Sequence, residues 1–250
     1  MSHHSLPLRL ERAQALQNEE FTRAAGGRSL RVGGGFAHFR GVAHPLNQAL
    51  GLTEPISETE LDAIEHFLGA PTVLELSPAA APSLWPLLAR RGYAIHSFQQ
   101  LLARTLDDVP PPDVGVHVRV ARADEALLYN RVVAAGFLER DDWRKVEPPF
   151  AMSLEVPEVF GFLAFTGDEP VAGGLLGMVD GVALLSGDSV LPRSRGRGLQ
   201  KSLIRARLAF AARRGGELAC ASTAPGTASQ RSFEGCGFRV AYPKVEMALG

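Results

Sequence analysis

Cysteine is almost absent from this 250-residue chain, with only Cys220 and Cys236 present. Two thiols in a chain of this length form no disulfide framework, and no Cys/His spacing around them outlines a zinc site. His3 and His4 are too few, and too near a free end, to hold a metal, so none is expected. Aromatic residues are scarce at 7%, and charge nearly cancels, with 26 Lys and Arg against 27 Asp and Glu. A dedicated nucleic-acid binder carries a basic excess that this balance lacks. Long apolar runs are missing too. The opening MSHHSLPLRLERAQ has no signal-peptide core, and no stretch approaches the ~20 apolar residues of a membrane span. The expectation is a cytoplasmic protein with no membrane and no nucleic-acid partner, either monomer or homodimer.

What is present is the composition of an ordinary globular protein, 46% hydrophobic and 21% charged. The sharpest internal break is DDVPPPD at 107–113, where consecutive prolines among acids make a stiff, solvated segment. It divides the chain into 1–112 and 113–250. In the second part VHVRVAR alternates as a strand and ADEALLYNRVVAAGF reads as a helix. FGFLAF, VAGGLLGMV and VALLSGDSVL then read as three antiparallel strands, with Asp180-Gly181 as a hairpin signal, because both central residues of a type I′ turn need positive φ. From Gly198 to Arg214, Leu199, Leu203, Ala206 and Phe210 recur at helical spacing, with Ile204, Leu208 and Ala211 beside them. GELACAST reads as a short buried strand, ASQRSFEGC as a helix closed by Gly237, and FRVAYPKVEMAL as one or two last strands. The fold class is thus α/β with a mixed sheet. In the first part, Ser57 and Glu60 have capping-box spacing, so SETELDAIEHFLG begins a helix. TVLELS and YAIHSFQQLLARTL read as strands around a helix, SLWPLLARRG. LLARRGYAI echoes FEGCGFRV in passing from helix to glycine, aromatic and strand, as a duplicated domain or a common helix stop would.

Between the third meander strand and the long helix lies RSRGRG, 193–198. A helix N-terminus offers unpaired N–H groups and positive potential to an anion, and glycine at 196 and 198 admits a close guest. Between Ser189 and Gly216 there are eight Lys or Arg and no acid. Neither G-x-x-x-x-G-K-[ST] nor G-x-G-x-x-G is present, so this is neither a Walker loop nor a dinucleotide fingerprint. A solvated basic face and a nucleic-acid patch are the other readings, although no aromatic residue is interleaved to stack on bases.

Arg193-x-x-Gly196-x-Gly198 resembles the [Q/R]-x-x-G-x-[G/A] acetyl-coenzyme A signature of the GNAT superfamily of N-acetyltransferases. PGTASQRSFEGCGF is similar to that family's second motif, a helix ending in Gly-Phe. The resemblance covers most of 116–250 and implies a GNAT fold for 113–250. It also implies acetyl-CoA as acyl donor, its pyrophosphate on the amides of Arg195, Gly196, Arg197, Gly198, Leu199 and Gln200. The pantetheine arm would pair with the strand edge at Ser189, Val190 and Leu191, where that strand splays from the next, and Ser229 and Phe233 would line the other wall. For 1–112 it implies a degenerate second copy that does not bind the coenzyme, since Gly33-Gly34-Gly35 precedes no helix.

The activity implied is transfer of an acetyl group to the amine of a small acceptor by direct attack. The alternative is a non-catalytic module that binds or senses acyl-CoA. Where many members carry a tyrosine to protonate the leaving thiolate, this chain has Phe233, and Tyr242 is the substitute acid. A thiol of pKa about 8.5 leaves without a proton more readily than an ammonium of about 10.4 gives one up, so a base matters more. Asp188 is the base candidate, acting through water, although its first reading is a turn or bulge residue after Ser186-Gly187. Cys236 at a helix end reads as packing, and His96 and His117 as ordinary strand residues. Residues that choose the acceptor are expected around Asp141 to Phe150, with Trp143 and Phe150 and the first part narrowing a pocket for a small amine.

Overall fold

The computed structural model describes residues 6–42, 44–111, 115–148 and 154–250; His3, His4, Phe150 and the end of the proline run lie outside them. Along the chain run α1 (Leu6–Ala24), β1 (Arg28–Val32), β2 (Gly35–Phe39), β3 (Gln48–Leu50), α2 (Glu58–Leu68), β4 (Thr72–Leu76), α3 (Leu84–Arg91) and β5 (Ala94–Thr105). They are followed by β6 (His117–Val120), α4 (Ala126–Phe137), β7 (Val159–Thr166), β8 (Glu169–Val179), β9 (Val182–Val190), α5 (Leu199–Arg213), β10 (Leu218–Thr223), α6 (Ala228–Glu234) and β11 (Arg239–Leu249). These make two compact units, Met1–Leu101 with Val240–Gly250, and Leu102–Arg239. The limits of the units therefore fall elsewhere than the proline run. Strand β5 runs continuously through Leu101, and the described part of the proline run, 107–111, belongs to the second unit.

In the first unit the strand order is β1-β2-β3-β4-β11-β5; the β1–β2, β2–β3 and β4–β11 pairs are antiparallel and the β3–β4 pair is parallel. Gly33 and Gly34, at φ 55° and 83°, form the two-residue turn of the β1–β2 hairpin, for which positive φ at both positions is required. The capping box of α2 is formed, with the Ser57 hydroxyl accepting from the Glu60 amide and the Glu60 carboxylate accepting from the Ser57 amide. Leu61, Ile64, Leu74, Leu84 and Leu88 fill the core between helices and sheet.

The second unit holds β6 to β10, with the last residues of β5 beside β10, in the order β5-β10-β9-β8-β7-β6. β6 to β9 form an antiparallel meander, and Asp180 and Gly181, at φ 48° and 74°, make its last hairpin turn. α5 then crosses over so that β10 lies parallel to β9. Successive residues of a strand face opposite ways. A Cβ on Gly173 would stand 2.7 Å from Val133 of α4, and one on Gly174 2.8 Å from Arg207 of α5, so the two helices cover opposite faces.

Helix closure in the two units is chemically alike. Gly92 (φ 91°) follows α3 and Gly237 (φ 88°) follows α6, and the next amide reaches back five residues each time, Tyr93 to Leu88 and Phe238 to Phe233. Both following aromatics are buried. Gly237 is thus the left-handed residue of the closure, while the last helical turn itself ends at Gly235.

Candidate active site

The signature loop leaves β9 through a short 3-10 turn at Pro192–Ser194 and enters α5 at Gly198. Gly196 and Gly198 stand at φ 75° and 78°, where side chains other than glycine are strained, and a Cβ at either would meet nothing within 4 Å. The space above the glycines is open. The amides of Gly196 to Lys201 donate to no acceptor among the described residues, whereas those of Ser194 and Arg195 close back onto Leu191 and Pro192. A row of free donors at the positive end of a fifteen-residue helix suits a phosphate.

The three arginines have different surroundings. Arg193 donates to the Asp141 carbonyl at 2.7 Å and to Glu169 at 2.9 Å, and its amide donates to the Asp141 carboxylate. Arg195 grips Glu139 with both terminal nitrogens at 2.6 and 2.9 Å and also donates to the carbonyls of Val190 and Gly136. That pairing holds the Glu139 carboxyl below the usual carboxylate range. Arg197 is exposed and has no side-chain partner among the described residues. The positive charge expected of all three is therefore offset at two of them by acids that precede β7 or open β8. Of the three, Arg197 is the one with no acid partner among the described residues.

Beside the loop, β9 and β10 pair only over Val182–Leu184 and Leu218–Cys220, although the strands run on to Val190 and Thr223. The β9 edge from Ser186 onward is free on that side. Its other edge pairs with β8, including Gly173↔Ser189 and Ala172↔Val190. The Ser189 hydroxyl donates to the Val133 carbonyl at 2.8 Å, and Leu191 is wholly buried, so these two side chains brace the strand while its backbone remains available. Gly136 permits this close approach, since a Cβ there would lie 2.0 Å from Ser189 Oγ.

Leu199, the first residue of α5, is buried, and Gln200 donates to Ser229 Oγ at 3.1 Å, which ties α5 to α6. Phe233 is only 2% exposed and packs edge-on against Phe238 at 5.1 Å, so it anchors α6 from inside. Cys236 is buried and packs near the Lys201 carbonyl. Trp143 is buried with no acceptor for its indole N–H among the described residues, in a segment pinned to the loop through Asp141.

Neither proton-transfer candidate stands free. The Asp188 side chain is 5% exposed and ion-paired with Arg207, itself fully buried. Burial pushes the Asp188 carboxyl above its ordinary range, and the charge of Arg207 opposes that shift. Tyr242 lies in β11, in the unit without the signature loop, and its hydroxyl donates to Glu11 at 2.8 Å. Lys244 joins that cluster by donating to Gln14 and Glu75. His117 is exposed and stacks on Phe165 at 5.0 Å, and His96 is exposed. Sequence reasoning missed Arg207, counting it with the basic surface of α5. The signal was its place in the row Leu203, Arg207, Ala211, the buried face of the helix.

A crossover helix with an open glycine loop at its head thus stands beside a strand edge that parts from its neighbour. Residues 128–238, within the second unit, match the family model described as the Acetyltransferase (GNAT) family. A GCN5-related N-acetyltransferase from Kribbella flavida shares the fold at TM-score 0.69 and 22% identity, over 98% of this chain and 96% of that one. A GNAT-family protein from Novosphingobium aromaticivorans does so at TM-score 0.62 and 21% identity, over 96% and 97%. A tandem GNAT protein from the clavulanic acid biosynthesis pathway superposes at TM-score 0.55 with 16% identity, over 77% of this chain and 66% of that one. No curated protein matches this sequence. No group of His, Cys, Asp or Glu that could hold a metal occurs among the described residues, and no described helix is long and apolar enough to cross a membrane.

Proposed function

We propose that this protein transfers an acetyl group from acetyl-CoA to the amine of a small acceptor by direct attack. The observation that carries the reading is the junction of two features. The free edge of β9 from Ser186 onward runs into a loop whose amides, Gly196 to Lys201, have no acceptor of their own. Acetyl-CoA supplies an activated thioester, and the chain's part is to hold and orient it. The pyrophosphate is assigned to the amides from Gly196 onward with Arg197 beside them, and the amide-bearing arm to the backbone of Ser189 to Leu191. Arg193 and Arg195 are assigned to shaping the loop. Gln200 and Ser229 hold the opposite wall, with Phe233 behind them. The small size of the acceptor is inferred from the segment after α4, which is pinned by Asp141 to Arg193 and buries Trp143 instead of forming a flat docking face. The first unit is read as a second GNAT-like copy without a coenzyme loop, because its triglycine run makes a hairpin turn.

Calorimetric titration of the purified chain with CoA and with acetyl-CoA tests this, alongside Gly198→Trp. Any L side chain at a left-handed position costs about 1–2 kcal/mol, and an indole there fills the open space above the loop. Micromolar binding by the natural protein, lost in the variant, is the expected result. Absence of binding to either ligand by the natural protein would remove the proposal.

A further inference from the structure

β8 and β9 fall out of register in the middle of the sheet. Gly173 pairs with Ser189 and Leu175 with Ser186, so Gly187 and Asp188 of β9 stand opposite the single residue Gly174. Two residues against one is a β-bulge, and Gly187 takes its left-handed position at φ 65°. A bulge disrupts the ladder locally, and here a side-chain donor reaches the carbonyls of the residue pair beside it. Arg207 of α5, fully buried, donates through one terminal nitrogen to the Leu175 carbonyl at 2.8 Å and to the Ser186 carbonyl at 3.4 Å. Through its Nε it donates to Leu203 at 3.2 Å, and its other terminal nitrogen meets Asp188 Oδ1. Gly174 makes room, since a Cβ there would stand 2.8 Å from the guanidinium. A buried cation of this kind is costly unless its charge is matched, and Asp188 matches it.

The bulge sits where β9 leaves β10, since the last β9–β10 pair is Leu184↔Cys220, just before Ser186. We propose that Arg207 and Asp188 are positioning residues that lock this bulge, and thereby hold open the edge of β9 on which the coenzyme's amide arm is laid. The pair touches no reacting atom. Its work is to keep Ser189 to Leu191 turned so that their backbone groups meet the arm. This rests on the acetyl-CoA reading above, and it gives Asp188 a task other than proton abstraction.

The test compares two probes on the full chain: CoA, which has both the nucleotide and the arm, and adenosine 3′,5′-bisphosphate extended to the 5′-diphosphate, which lacks the arm. Arg207→Met would leave Asp188 buried and unpaired and endanger folding. The measured variants are therefore Arg207→Met/Asp188→Leu, which removes both charges, and Gly174→Ala, which displaces the guanidinium by a methyl group. Each is first checked for a cooperative melt. The expected result in a folded variant is CoA affinity lower by at least about tenfold, the loss of roughly one or two hydrogen bonds along the arm, with affinity for the arm-less nucleotide within about twofold of natural. A folded variant in which both probes keep their natural affinities, or lose them in equal proportion, overturns the proposal. If both variants fail to melt cooperatively the pair is a general stabiliser, and the proposal falls too. Failure of the natural protein to bind either probe would instead count against the acetyl-CoA reading itself.

Discussion

Three arginines within six residues look alike in sequence, yet only Arg197 faces the space above the loop without an acid partner among the described residues. Arg195 is bonded to Glu139 and to the carbonyls of Gly136 and Val190, so it ties the end of α4 to the end of β9. These roles predict opposite signatures. Arg197→Ala is expected to weaken CoA binding by about three- to tenfold at low salt, with a smaller difference at high salt as screening removes the contribution, and to leave the melting temperature unchanged. Arg195→Ala is expected to lower stability by about 1 kcal/mol, because its partner is largely exposed and its gain is mostly in hydrogen bonds. Titrations at two ionic strengths together with thermal melts separate the two; equal loss of affinity in both variants at unchanged stability would contradict the division of labour. The loop itself was legible because glycine at 196 and 198 and the basic run are local features. The compensation of Arg193 and Arg195 was not legible, since Glu139, Asp141 and Glu169 come from distant parts of the chain. The same holds for Phe233, whose absent hydroxyl is visible in the sequence but whose burial against Phe238 is not.

Among the elements, those with regular period and clear punctuation read directly from the sequence: the meander with its Asp-Gly turn, α5, and α2 with its capping box. α1 did not. Its inward face carries Glu11, Gln17 and Thr22, all buried, while Leu6 is exposed, so no apolar stripe marks the helix. Glu11 is tolerated there because Lys244 and Tyr242 from β11 reach it, a pairing no local pattern reveals. The start of α4 offers an element-scale prediction. Glu125 accepts from both terminal nitrogens of Arg119 at 2.6 and 2.7 Å and from the Arg122 amide at 2.8 Å, fixing the exit from β6. Arg119 holds the Glu125 carboxyl down to about 2, well below an ordinary glutamate. A folded-state value below the unfolded one stabilises the fold at pH above the unfolded value, and that contribution disappears as pH falls toward the folded value. Acid unfolding should therefore show a loss of stability between about pH 5 and pH 2 that is reduced in Glu125→Gln, which is already less stable at pH 7. Parallel stability curves for the two proteins across that range would show that the pair contributes nothing net.

For the molecule as a whole, the proline run and the limits of the compact units make different statements about where the chain divides. A stiff solvated segment looks the same whether it joins two units or two strands of one unit, and here it joins β5 to β6. The second unit begins at Leu102, and the first recovers Val240–Gly250 from the far end of the chain, where β11 pairs with β4. Fragments decide between the two divisions. A chain of residues 102–239 keeps Leu102 and Leu106, both buried, with Leu106 against Gly216 and its amide bonded to the Glu217 carbonyl. A chain of residues 113–250 loses both leucines and carries β11 without β4. Each buried leucine removed costs about 2–5 kcal/mol, and a domain is stable by only about 5–15 kcal/mol, so losing two, with the rest of the β5 end and β4 beside β11, removes most of that margin. The expected outcome is a cooperative melt and CoA binding for 102–239, and neither for 113–250. If 113–250 melts cooperatively and binds CoA as well as 102–239 does, the proline run is the true boundary, and β11 belongs to the coenzyme-binding half.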